Sequence, residues 1–224
     1  MEKKIYLWGD SIGRGVVYNP ERRRYCLAQT RCEKLLASKG IPLVNRARMG
    51  ATIAEGYADF MATATEAEGL AVIEYGGNDC DLDWQAVAAK PEVFHDGKTP
   101  IAEFEEMLRL FAETARARGL EPVLVLPPPL YPERYFDWVC RDLDREAVRG
   151  YLGDVGHIGR WHACYVEAIR RAARDTGSRV LDFYTPFMQA MNFPELICQD
   201  GIHPSEAGHE LMARVAMSAL AQAG

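Results

Sequence analysis

No apolar run in the sequence approaches the roughly 18 residues that would span a bilayer. The opening MEKKIYLWGD holds too short an apolar stretch for a secretory signal, so the expected location is cytoplasmic. Cations are in the minority. The 26 Lys and Arg stand against 32 Asp and Glu, a net charge of −6. That opposes a nucleic-acid partner, because neutralising phosphates takes clustered Lys and Arg. The one basic run, Arg22-Arg23-Arg24, reads as a solvated face. No Cys-x-x-Cys occurs among Cys26, Cys32, Cys80, Cys140, Cys164 and Cys198. They read as reduced packing residues, with no disulfide or zinc framework. His-Glu-x-x-His is also missing. Asp79, Asp81 and Asp83 alternate as in a calcium loop, but Trp84 stands where that loop needs glycine and Lys90 where it needs glutamate. No metal and no cofactor are expected.

What is present is an ordinary globular composition, 48% hydrophobic and 26% charged over 224 residues, which suggests one domain over 1–224. Short apolar runs alternate with longer amphipathic ones. Strands are predicted at 4–8, 42–47, 70–75, 122–127 and 179–184. Helices are predicted at 23–38, 52–67, 101–118, 158–176 and 205–222, most of them stopped by glycine. Strand–helix alternation means an α/β fold, three layers α/β/α, with a five-stranded parallel sheet in the flavodoxin-like order 2-1-3-4-5. Residues 127–157, opening on Pro127-Pro128-Pro129, read as an insertion after the fourth strand, and 80–100 as a shorter excursion after the third.

Ligands in such sheets bind beyond the carboxyl ends of the strands. After the first strand comes Gly9-Asp10-Ser11; after the second, Gly50; after the third, Gly76-Gly77-Asn78-Asp79. After the fifth, and a short connecting segment, comes CQDGIHPSEAGH, with Asp200 and His203. A hydroxyl, backbone donors, an amide, a carboxylate and an imidazole are the parts of a serine acyl-transfer site. A serine hydroxyl needs a base, His203, and the base needs an orienting carboxylate, Asp200. Asp10 reads as a brace for its turn rather than as chemistry. With Ser11 in GDS, Gly50 in the second block, Asn78 in G-x-N-D and His203 in D-x-x-H, the chain resembles the SGNH hydrolases, also called the GDSL esterase/lipase family. The likeness spans residue 5 to about 210. It departs at Ile12, where the name-giving pattern has Leu. It implies a serine esterase with Ser11, Asp200 and His203 catalytic, and with Ser11, Gly50 and Asn78 around the oxyanion.

His209 lies six residues past His203 and faces elsewhere. His157 and His162 flank the start of a helix that could border the pocket, and His95 sits in a polar loop. The glycines Gly9, Gly13 and Gly15 also resemble a short-chain dehydrogenase turn. That reading lacks a Tyr-x-x-x-Lys pair, since no lysine follows Lys98. It also lacks an acidic residue after strand two, where Asn45 and Arg46 sit. A carbohydrate- or acyl-binding module without turnover is a further alternative, opposed by the intact Ser–His–Asp set. The insertion carries Tyr131, Tyr135, Phe136 and Trp138. Trp138, with Trp161 and His162, is expected to bind substrate. The expected partner is a small-molecule ester, with a short acyl group or an acetylated carbohydrate favoured over a lysophospholipid or thioester.

Overall fold

The computed structural model describes residues 4–63 and 68–222. Its strands are β1 (Ile5–Gly9), β2 (Val16–Asn19), β3 (Arg24–Leu27), β4 (Leu43–Asn45), β5 (Gly69–Glu74), β6 (Leu120–Leu126) and β7 (Arg179–Asp182). Five of them form one sheet in the order β4-β1-β5-β6-β7, every neighbour pair parallel. This is the expected flavodoxin-like order. β1 and β5 are near-continuous apolar runs because both of their faces are covered. Trp8, Ala71, Ile73 and Leu124 point to one side, Ile5, Leu70 and Val125 to the other.

The first side is the main core. Helices α3 (Ile53–Thr63), α5 (Ile101–Ala117) and α8 (His157–Thr176) cover it. Phe104, Leu108, Phe111 and Ala115 recur along one face of α5, and all are buried. Trp8 meets Phe60 edge-on, with ring centroids 5.0 Å apart. The opposite face carries α2 (Cys32–Ser38) and α11 (Glu206–Gln222). It is filled less completely: an apolar cavity of about 400 Å³ lies between the sheet and these two helices.

The helix predicted over 23–38 is corrected. Residues 24–27 are β3, paired antiparallel with β2, and only Cys32–Ser38 is helical. Val16-Val17-Tyr18 and Tyr25 prefer a pleated surface. Asn19 Oδ1 accepts the Arg22 N–H at 2.9 Å across the turn, and Tyr18 packs on Tyr25 at 5.3 Å. The predicted helix over 52–67 is found as α3 up to Thr63, and its last four residues lie outside the described ones.

After β5 comes α4 (Trp84–Ala89). After β6 come α6 (Pro132–Val139), a 3₁₀ turn (Cys140–Asp142) and α7 (Arg145–Leu152). The stretch 127–157 is therefore largely helical, and its Leu130, Phe136, Val148 and Leu152 share a small core with Leu82 and Val87 of the shorter excursion and Ile158 of α8. Asp79, Asp81 and Asp83 serve three separate structures. Asp79 accepts from Ile53 N, Gly76 N and Thr99 Oγ1; Asp81 pairs with Lys98; Asp83 caps α4. Among the described residues, no helix is long and apolar enough to cross a membrane.

Candidate active site

The strand β1 ends in a sharp turn into α1 (Ser11–Arg14). Asp10 caps this single turn, its Oδ1 accepting from Ile12 N at 2.8 Å, so Asp10 does brace the bend. Ser11 is thereby held at the carboxyl edge of the sheet, 7% exposed. The segment leaving α9 (Tyr184–Gln189) and α10 (Phe193–Leu196) brings the second half of the site to the same place. Gly201 turns it with φ +80°, and a Cβ there would lie 2.3 Å from Tyr135 N. Tyr131 N donates to Gly201 O at 2.8 Å, and Arg134 donates to Ile197 O. The start of α6 thus clamps the Asp200–His203 turn in position.

Ser11 Oγ and His203 Nε2 lie 2.9 Å apart, although 192 residues separate them. Asp200 Oδ2 is 2.6 Å from His203 Nδ1. Its Oδ1 accepts from Ile202 N and His203 N, each at 3.1 Å. An ionised carboxylate only accepts, so Nδ1 carries the proton and Nε2 is left to accept from the serine. Burial alone would raise the Asp200 pKa. The His203 ring and the two backbone donors outweigh it and hold the carboxyl below its usual range.

Tyr25, on the hairpin strand β3, covers this group. Its ring lies 5.0 Å from that of His203, beside the charge of Asp200. Burial and the Asp200 charge push its pKa up, which keeps it a phenol. Sequence reasoning missed Tyr25. The signal was the Val-Val-Tyr-Asn-Pro run, a strand and turn pattern that precedes it.

Asn78 lines the cavity beside Ser11, with its Nδ2 donating to Asp10 Oδ2 at 3.0 Å and to Ala51 O at 3.2 Å. Gly50 adjoins Ala51 in an exposed turn and is not among the residues lining the cavity. An added Cβ at Gly50 would meet nothing within 4 Å, and its φ of +80° favours glycine there.

The cavity over Ser11 and His203 holds about 330 Å³. Leu82, Leu130, Leu152 and Ile158 form its apolar wall, and Phe94, 75% exposed, stands at its rim. Trp161 and His162 line it as expected; Trp161 Nε1 donates to Cys80 O at 2.8 Å. Trp138 does not line it. Its ring packs on Tyr18 at 4.8 Å and under the Arg141 guanidinium, beside a separate surface depression. The turn of α6 that buries Tyr135 and Phe136 carries Trp138 outward. Tyr135 Oη donates to Asp81 at 2.5 Å and Trp84 Nε1 donates to the same oxygen at 2.9 Å, tying the two excursions into one wall. His95 and His157 also line the cavity, whereas His209 donates its Nε2–H to Val16 O on the far side of the turn.

His162 is 2% exposed, and burial pushes its pKa from 6.5 down to about 4. Between those values the unfolded chain binds a proton the folded one refuses. Stability therefore falls as pH drops from about 6.5 to 4, by up to about 3 kcal/mol from this group. Denaturant melts across that window should show a shallower pH slope for His162→Leu than for wild type. Equal slopes would show that His162 takes up its proton freely in the folded state.

Residues 7–211 match the model of the GDSL-like lipase/acylhydrolase family. No curated protein matches the sequence. Several solved structures share the fold. A lipase/acylhydrolase from Enterococcus faecalis is 18% identical, with 97% of this chain and 95% of that one covered and a TM-score of 0.65. A GDSL-like lipase from Bacteroides thetaiotaomicron is 19% identical over 100% and 90%, also at 0.65. The psychrotrophic esterase EstA from a Pseudoalteromonas species, solved in a form inhibited by monoethylphosphonate, is 15% identical over 98% and 97%, at 0.60. With the family model covering nearly the whole chain, and a serine, a histidine and an aspartate in one hydrogen-bonded line at its carboxyl edge, the chain belongs to the GDSL-like lipase/acylhydrolase family and is a serine hydrolase.

Proposed function

We propose that the chain hydrolyses carboxylic esters of short acyl groups through an acyl-enzyme on Ser11. The observation that carries this is the line Ser11 Oγ, His203, Asp200, with contacts of 2.9 and 2.6 Å. His203 Nε2 takes the Ser11 proton as Oγ bonds to the substrate carbonyl carbon. As the tetrahedral centre collapses, the C–O bond to the alcohol breaks and His203 returns the proton to the leaving oxygen. Water then attacks the acyl-Ser11 ester by the same proton route and releases the acid. No cofactor enters this cycle.

The oxyanion is received by the Ser11 N–H and the Asn78 amide, both of which line the cavity. Asn78 joins by exchanging one of its present acceptors, Asp10 or the Ala51 carbonyl, for the oxyanion. Each such donor is worth about 3–4 kcal/mol of barrier. The acyl group lies along the wall of Leu82, Leu130, Leu152 and Ile158, which is apolar and braced from two sides. Trp161 and His162 shape the inner side of that wall, and the neutral imidazole of His162 adds no charge against an acyl chain.

Hydrolysis of nitrophenyl esters from about two to about sixteen carbons tests the substrate class. The expected kcat/KM is highest at the short end and more than about tenfold lower at the long end. Release of acetate from acetylated sugars places the alcohol part. A maximum at the long end would replace this reading with the lysophospholipase or thioesterase alternative.

A further inference from the structure

The last residue of β5 is a glutamate buried under the nucleophile turn. Glu74 is 1% exposed and pairs in register with Gly9 of β1. Its Oε2 accepts from Asp10 N at 3.1 Å and from Gly13 N at 2.9 Å, the amides on either side of Ser11 and Ile12. Its Oε1 is buried without an N–H or hydroxyl partner. What lies within hydrogen-bonding reach of this carboxyl is the carboxyl of Asp10. Asp10 is itself committed elsewhere, with Oδ1 on Ile12 N and Oδ2 on the Asn78 amide.

Two carboxyl groups in contact and sealed from water cannot both ionise. Burial raises both. Both Asp10 oxygens already accept N–H donors while Glu74 Oε1 meets none, so the shared proton belongs on Glu74 Oε1. The other titratable groups nearby do not displace it. His203 and Asp79 act on Asp10 from the far side, and Tyr75 follows Glu74 in the chain with Arg48 beside it. Across the apolar cavity that Glu74 closes stand Arg31, just before α2, Glu33 of α2, Arg179 of β7 and His209 of α11.

The same carboxyl accounts for two glycines. A Cβ at Gly9 would lie 2.7 Å from Glu74 Oε2, and one at Gly13 would lie 2.8 Å from it. Gly9 opens the GDS turn and Gly13 lies in α1 just after it, and both are needed to let the acid in.

We propose that Glu74 is a positioning residue for the nucleophile turn. As a neutral acid it gathers the Asp10 and Gly13 amides on one oxygen and donates its proton to the Asp10 carboxylate. Asp10, so held, fixes the Ile12 N–H and the Asn78 amide on the two sides of Ser11. The role rests on the reading of Ser11 as nucleophile.

Four proteins test it on a short nitrophenyl ester: wild type, Glu74→Gln, Glu74→Leu and Ser11→Ala. Glu74→Leu should lose about 10²-fold in kcat with KM within about threefold, because only the reacting geometry is disturbed. Glu74→Gln should return to within about fivefold of wild type, since an amide can accept the two N–H groups and donate to Asp10. Infrared difference spectra of wild type against Glu74→Gln near pH 8, far above the usual carboxyl range, should show a protonated-carboxyl C=O band in wild type. Full kcat in Glu74→Leu, no recovery in Glu74→Gln, or no such band would overturn the proposal. If Glu74→Leu fails to fold, the other two readouts decide. An active Ser11→Ala variant would instead remove the nucleophile reading itself. An inactive one beside a fully active Glu74→Leu would remove only the role of Glu74.

Discussion

A Ser11→Ala variant is expected to fold like wild type and to hydrolyse esters about 10⁶-fold more slowly. The change removes one oxygen from a nearly buried position and leaves the Asp10 cap and its Ile12 N–H bond in place. Stability should therefore move by less than about 1 kcal/mol, which a thermal melt checks. The rate effect is large because no other group near His203 can take over. Cys80 lines the same cavity, but burial, with Asp81 and Asp79 nearby, pushes its thiol well above the ordinary range and keeps it a poor nucleophile. What survives is the rate that binding and oxyanion donors supply without a nucleophile. Retention of more than about one hundredth of wild-type kcat would mean that the ester bond is broken by another route.

An Asp200→Asn variant should lose about 10⁴-fold in kcat with little change in KM. The reason is the direction of one proton. Asp200 Oδ2 faces His203 Nδ1 at 2.6 Å and only an acceptor belongs there. The Oδ1 side is held by the Ile202 and His203 amides, which need an oxygen, so the asparagine NH₂ is forced toward the ring. Nδ1 must then accept and Nε2 must carry the hydrogen, which points at Ser11 Oγ and cannot remove its proton. Steady-state kinetics with the ester series checks this. A loss of less than about tenfold would show that His203 is oriented by other groups.

The sheet was legible because its strands are short apolar runs set between longer amphipathic ones, with glycines closing the buried central strands β1 and β5. The Ser11–His203–Asp200 line was legible because Ser11 sits in a short polar block directly after a strand, and Asp200 and His203 share a second such block that follows β7, α9 and α10. The hairpin was not. Arg22, Arg23 and Arg24 in front of Glu33 and Lys34 look like a charged helix face, and the pairing of Tyr18 with Tyr25 that overrides this is a cross-strand contact. Trp138 was misplaced for a related reason: its neighbours Tyr135 and Phe136 take the inward face of α6, and the phase of a short helix inside an insertion depends on what it packs against. Glu74 reads in the sequence as the polar end of a strand. That Gly9 and Gly13 are small on its account emerges only when β1 and β5 stand side by side in register. The commitment of the Asn78 amide to Asp10 and Ala51 is likewise a matter of side-chain packing and has no sequence signature.

The most direct measurement is peptide mass spectrometry after treatment with a reactive alkyl phosphonate, which traps an activated serine as a stable adduct. One phosphonyl group per chain is predicted, on the peptide containing Ser11, with labelling lost in Ser11→Ala and slowed in Asp200→Asn. An unlabelled wild-type protein, or an adduct on any residue other than Ser11, would contradict the account.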